Sequence, residues 1–147
     1  MIGCMLTGHG SFAPGLMGAL EMIAGEQEKF EVIPFLEGDS LAAFEEKMAE
    51  CAKRLSQDGQ GVVIFSDLLG GTPFRTAMLA AQAQEMVAVI AGTNLPMLLE
   101  GSLIREQFTK ASDLADSLLE GAKESIIHAR LELKENDGAD SNQEEGI

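Results

Sequence analysis

The chain has 147 residues, 46% of them hydrophobic, which suffices for one ordinary core and demands no second domain. With 24 acidic against 10 basic side chains its formal charge is -14, which argues against a nucleic-acid or anionic-membrane surface, because either needs clustered Lys and Arg, and favours partners with a basic face. No apolar stretch approaches the roughly 20 residues of a spanning helix and no basic targeting region opens the chain, so a cytoplasmic protein without direct membrane insertion is expected.

Residues 1–7 (MIGCMLT) form a short apolar run ended by Gly8, and 30–36, 61–66 and 86–91 read the same way, giving four predicted strands. Between them the apolar residues fall at helical spacing: Leu16, Leu20, Ile23 and Ala24; Leu41, Phe44, Met48, Ala52 and Leu55; Phe74, Met78, Leu79 and Ala83. Pro14 is expected at the first position of the first helix, and Thr72 then Pro73 as a capping hydroxyl followed by a first-turn proline. A fourth helix is expected near Pro96 and a fifth near Ser112 or Asp113. Strand and helix alternate, and runs such as GVVIFS suit strands with no wet face, so the predicted class is α/β: a doubly wound, mostly parallel sheet in the common order 2-1-3-4. Residues 126–133 (IIHARLEL) change to a period of two, as an edge strand does. Residues 134–147 are polar and acidic and read as a solvated, disordered tail, leaving one domain over 1–133.

In open parallel sheets, ligands gather beyond the carboxyl ends of the strands where the winding reverses. Three loops meet there: TGHGSFAPG, SDLLGGTPF and AGTNLP. With strands one and three as neighbours, His9 and Asp67 face each other. A carboxylate that accepts a hydrogen bond from one ring nitrogen leaves the other as a nucleophile, able to attack phosphorus. Gly8, Gly10, Gly70 and Gly71 remove side chains that would crowd a phosphoryl group and offer backbone N–H groups; Thr72 adds a hydroxyl, and the helix after it points its positive end the same way. Read singly, each feature has an ordinary explanation: a turn histidine, a capping aspartate, loop-to-helix punctuation. Their convergence at one predicted sheet edge is what points to a His and Asp site there.

Other chemistries lack their residues. GxxxxGK[ST], GxGxxG and GxSxG are all absent. Cys4 and Cys51 form no CxxC pair and read as reduced core thiols, the eight methionines read as core filler, and His128 stands in the period-two segment without companion ligands, so no metal and no cofactor are expected.

TGHGSFAPG, SDLLGGTPF and GTNLPMLLE together resemble the enzyme IIA proteins of the mannose family of the bacterial phosphoenolpyruvate-dependent sugar phosphotransferase system (PTS), over residues 1–130. The resemblance implies a last, antiparallel strand, here 126–133, exchanged between the subunits of a homodimer. It implies that His9 takes a phosphoryl group from the histidine-containing phosphocarrier protein, HPr, and passes it to a histidine of the cognate enzyme IIB, which serves the membrane IIC/IID complex. Asp67 would hold the His9 ring, Thr72 and nearby amides would cradle the phosphoryl group, and Phe12, Leu69 and Phe74 would form an apolar docking rim. No Lys or Arg lies closer in sequence to these loops than Arg75, so partners are expected to supply positive charge in trans. The wording of GTPFR and GTNLPMLLE is most similar to the N-acetylgalactosamine or galactosamine branch. The alternatives are a phosphoryl donor for dihydroxyacetone kinase, a regulatory module phosphorylated on His9 as a signal, and an unrelated α/β small-molecule binder.

Overall fold

A computed structural model describes residues 1–132. The elements run β1 (Gly3–His9), α1 (Phe12–Ala24), β2 (Phe30–Phe35), α2 (Leu41–Leu55), β3 (Val62–Phe65), α3 (Thr72–Ala83), β4 (Val87–Ile90), α4 (Leu95–Ile104), a single 3-10 turn (Arg105–Gln107) and α5 (Ala111–Glu124). The four strands are parallel and ordered β2-β1-β3-β4, so the winding reverses between β1 and β3 as the alternating pattern predicts.

Both faces of the central strands are buried because side chains alternate along a strand. Cys4, Leu6, Val63 and Phe65 face one core, closed by Leu20 of α1, Leu98 of α4 and Leu114 and Leu118 of α5. Met5, Val62 and Ile64 face the other, closed by Phe44, Met48 and Ala52 of α2 and Ala77 and Ala80 of α3. Burying an aliphatic or aromatic side chain of this size stabilises the fold by about 1.5–3 kcal/mol. Both cysteines are reduced and buried, and burial pushes the thiol of Cys4 up to about 11 and that of Cys51 up to about 12, so both stay protonated and inert.

At the end of the sheet away from the strand carboxyl termini, the buried Arg105 guanidinium donates to the carbonyls of Ile2 at 3.3 Å, Lys29 at 3.2 Å and Glu28, and lies 5.6 Å over the Phe30 ring. It ties the turn after α4 to the entries of β1 and β2.

The boundaries correct several expectations. β1 continues through His9, because residues 4–9 pair in register with β2. α1 starts at Phe12, two residues before Pro14; the proline fits because the first turn of a helix has N–H groups with no acceptor, and the first bond back is from Gly15 N–H to Ser11 O at 2.9 Å. α3 is capped by Gly71, with Thr72 first and Pro73 second, and no side chain makes a capping bond. α5 starts at Ala111, which is buried in the first core. Residues 126–132 form no strand within this chain and are exposed, His128 among them, and Leu133 and the expected tail 134–147 lie outside the described residues. Among the described residues no helix is long and apolar enough to cross a membrane.

Candidate functional site at the switch point

His9 is the last residue of β1, and Asp67 follows β3 by two residues. The Oδ2 oxygen of Asp67 accepts from the backbone N–H of His9 at 2.8 Å and lies 2.8 Å from the ring Nδ1, while Oδ1 accepts from the N–H of Leu68 at 2.7 Å. Partial burial raises the Asp67 carboxyl, but the His9 N–H, the His9 ring and the Leu68 N–H outweigh it, and the net is a carboxyl below its ordinary value. An ionised carboxylate only accepts, so Nδ1 carries a hydrogen, and in the neutral ring the lone pair is then on Nε2. The imidazole is 49% exposed and the carboxylate 13%, so the ring is far more open to solvent than its anchor.

A Cβ on Gly8 would lie 2.6 Å from Phe12 Cδ1 and 3.1 Å from Asp67 Cγ, so this position must be bare for β1 to approach the carboxylate. A Cβ on Gly71 would lie 2.9 Å from His9 Cε1 and 3.6 Å from Nε2, which places the free nitrogen beside the cap of α3. Gly10 has φ +56° and Gly70 φ +85°, left-handed turns that favour glycine. Two of the expected amide donors are already engaged: Gly10 N–H bonds Phe35 O at 2.8 Å, and Gly71 N–H bonds Leu68 O at 3.0 Å. The N–H groups of Thr72 and Phe74, in the first turn of α3, have no acceptor among the described residues, and they sit at the helix's positive end.

Of the residues expected to dock partners, Leu69 is 73% exposed, whereas Phe12 and Phe74 are half-buried and Phe12 packs against the first core. Sequence reasoning missed Leu68, Leu36 and Leu41, which are exposed on the loops and helix start at the same sheet edge. It also missed Phe35, whose ring meets that of His9 edge to face, with centroids 6.2 Å apart and planes at 80°. The doubled Leu of SDLLGG was the available signal for Leu68; Phe35 gave none beyond its place at a strand end. Arg75 is exposed on the first turns of α3. Two cavities of about 330 Å³, one between β4 and the start of α5 and one along β2 and α2, have linings that exclude His9 and Asp67. The histidine stands on open surface, a geometry suited to a macromolecule that brings its own half of the site.

The fold and this pair describe an α/β protein with a histidine–carboxylate pair at the switch point of a parallel sheet. The chain belongs to the mannose-family IIA components of the sugar phosphotransferase system: the family described as "PTS system fructose IIA component" (EIIA-man) matches residues 3–119. It is similar to the fructose-specific EIIA component of Bacillus subtilis, at 29% identity over 99% of both chains. It is also similar to the mannose-specific EIIAB component of Escherichia coli K12, at 31% identity over 85% of this chain, and spans 38% of that longer protein. Among solved structures, an EIIA component from Streptococcus agalactiae is 32% identical, with TM-score 0.76 over 87% of this chain and 97% of its own. A mannose/sorbose-specific IIA subunit from Enterococcus faecalis is 27% identical, with TM-score 0.80 over 90% and 98%. Family membership carries a phosphocarrier role in a sugar PTS.

Proposed function

We propose that His9 is the phosphoryl carrier of this IIA component, and that the reaction runs from phosphorylated HPr through His9 to a histidine of the cognate enzyme IIB. The observation that carries this reading is the 2.8 Å contact between His9 Nδ1 and Asp67, which in the neutral ring puts the lone pair on Nε2, on a half-exposed side chain beside the α3 cap. The Nε2 lone pair forms the new N–P bond as the donor's N–P bond breaks and its electrons return to the donor nitrogen. The Nδ1 hydrogen stays on its bond to Asp67, whose charge balances the ring when Nε2 is substituted. Transfer to enzyme IIB reverses the same exchange.

In this scheme the phosphoryl oxygens meet the first-turn N–H groups of Thr72 and Phe74 and the Thr72 hydroxyl, which no capping bond consumes. Gly10, Gly70 and Gly71 make room for the group, and the amides of Gly10 and Gly71, already bonded, take no part. Leu69, with Leu68, Phe12 and Phe74, supplies apolar docking area, and the partners supply most of the positive charge. The protein works in the cytoplasm, reaching the IIC/IID complex through IIB, and needs neither metal nor cofactor. The named relatives handle fructose, mannose or sorbose, which favours a neutral hexose over the galactosamine branch and favours sugar uptake over a dihydroxyacetone kinase partnership.

A homodimer completes the sheet in this reading. Among the described residues β4 pairs only with β3 and leaves its other edge open, while residues 126–132 run exposed with apolar residues at alternate positions. The other edge strand, β2, carries Pro34, which cannot donate to a further strand.

The deciding experiment incubates the protein with labelled, phosphorylated HPr beside His9→Ala. Acid-labile label on wild type and none on His9→Ala supports the carrier role; equal label on both, or none on wild type, removes it.

A further inference from the structure

We propose that Phe35 is a positioning residue for phosphoryl transfer: its ring, braced by Phe44, holds the plane of the His9 imidazole so that Nε2 stays aimed at the incoming phosphorus. The proposal rests on the carrier role of His9.

The Asp67 bond is a soft tether at one atom of the ring, and coupled changes in χ1 and χ2 still let the imidazole swing through small angles. Gly71, on the Cε1 side, has no side chain to stop it. The contact that limits the swing is Phe35, at 6.2 Å between centroids and 80° between planes, within the range in which aromatic rings attract edge to face. Phe35 is itself fixed. It is the Cα partner of His9 across the parallel β1–β2 pair, and its carbonyl accepts the Gly10 N–H at 2.8 Å, which pins the end of β1 to β2. Its ring lies 4.8 Å from that of Phe44, at 49°, and Phe44 is 2% exposed in the second core. A line of three rings therefore roots a half-exposed histidine in packed interior. In-line displacement is sensitive to direction, so a ring free to swing spends less time productively aligned.

The test uses the full chain with ¹⁵N-labelled histidine, as wild type, Phe35→Leu and Phe35→Tyr. Spectra of the unphosphorylated protein report the tautomer and mobility of His9, and initial rates of label uptake over a range of phospho-HPr concentrations separate maximal rate from half-saturation. In Phe35→Leu, which keeps apolar bulk, the two His9 nitrogen resonances should move toward each other and broaden. The maximal rate should fall about tenfold while half-saturation stays within about twofold. Phe35→Tyr, whose hydroxyl can extend from a half-buried position, should restore both. If Phe35→Leu does not fold, Phe44→Leu removes the brace and carries the same spectral test. An unchanged His9 spectrum, a loss confined to half-saturation, or failure of Tyr to restore would overturn the proposal. Should wild type take no label, the carrier role fails and the spectra alone decide what Phe35 does.

Discussion

Asp67 Oδ2 meets both the backbone N–H and the ring Nδ1 of His9, each at 2.8 Å. One oxygen thus fixes where β1 ends and which tautomer its last side chain adopts. Asparagine at 67 presents an amide that can donate to Nδ1 and so moves the ring hydrogen to Nε2, removing the nucleophilic lone pair. Asp67→Asn is expected to slow phosphoryl uptake by about a hundredfold or more, measured with labelled phospho-HPr, by the logic that makes the aspartate of a catalytic triad set its histidine's tautomer.

The same contacts give stability a pH dependence. The folded carboxyl lies below its ordinary value, so its contribution is complete above the unfolded value of about 3.9 and is lost as pH falls through the folded one. The gap in melting temperature between wild type and Asp67→Asn should be widest near neutral pH and close below about pH 4. Thermal melts from pH 7 to pH 3 measure it; a gap that widens on acidification contradicts the assignment.

Much of this was legible in the sequence, and the limits have physical causes. Parallel strands buried on both faces leave unbroken apolar runs, which is why GVVIFS and its companions mark the sheet, and the switch-point rule then brings His9 to Asp67. Thr72 before Pro73 looks like a cap in one dimension, yet the chain caps α3 with Gly71, at a position where a side chain would meet the His9 ring. Which amides are spoken for was not legible, since Gly10 bonds Phe35 and Gly71 bonds Leu68 only after the strands and loop have closed. Phe35 resembled one more core aromatic for the same reason: its contact with His9 exists only across the strand pair.

Gly71 and Gly25 separate steric from conformational demands on glycine. Gly71 has an ordinary φ of -75°, so alanine costs the backbone nothing, but its Cβ would push on His9 Cε1 from 2.9 Å. Gly71→Ala is expected to reduce label uptake about tenfold with little change in melting temperature. Gly25, at the end of α1, has φ +81° with ψ -177° and open space around it, so Gly25→Ala should cost about 1–3 kcal/mol in urea unfolding and leave uptake intact. Equal effects of the two variants on both readouts would contradict the steric argument.

Arg105 should matter for stability alone. Its guanidinium is buried against three carbonyls and the Phe30 ring at the opposite end of the sheet from His9. Arg105→Ala removes the donor to the Ile2 and Glu28 carbonyls, leaves Lys29 O to the Cys4 N–H and opens a void, and is expected to cost about 3 kcal/mol in urea unfolding. Arg105→Lys should recover little of this, because an ammonium cannot span carbonyls from Ile2, Glu28 and Lys29 as a planar fork does. Label uptake by either variant below its unfolding transition should match wild type.

The open edge of β4 gives the last prediction. If a second copy's residues 126–133 cover that edge, Ile127 and Leu131 fall on one face of the added strand and turn inward, although both are exposed in the single chain, at 74% and 91%. Wild type should then sediment at twice 15.6 kDa at micromolar concentration. Ile127→Asp with Leu131→Asp should shift it to the single-chain mass, since two carboxylates on the buried face have no partner there. His9 and its hydrogen-bond partner Asp67 belong to the same chain, at the carboxyl ends of β1 and β3, so the monomeric variant is expected to keep acid-labile label on His9. A wild type that sediments as a monomer, or a double variant that remains a dimer, would place the subunit contact elsewhere.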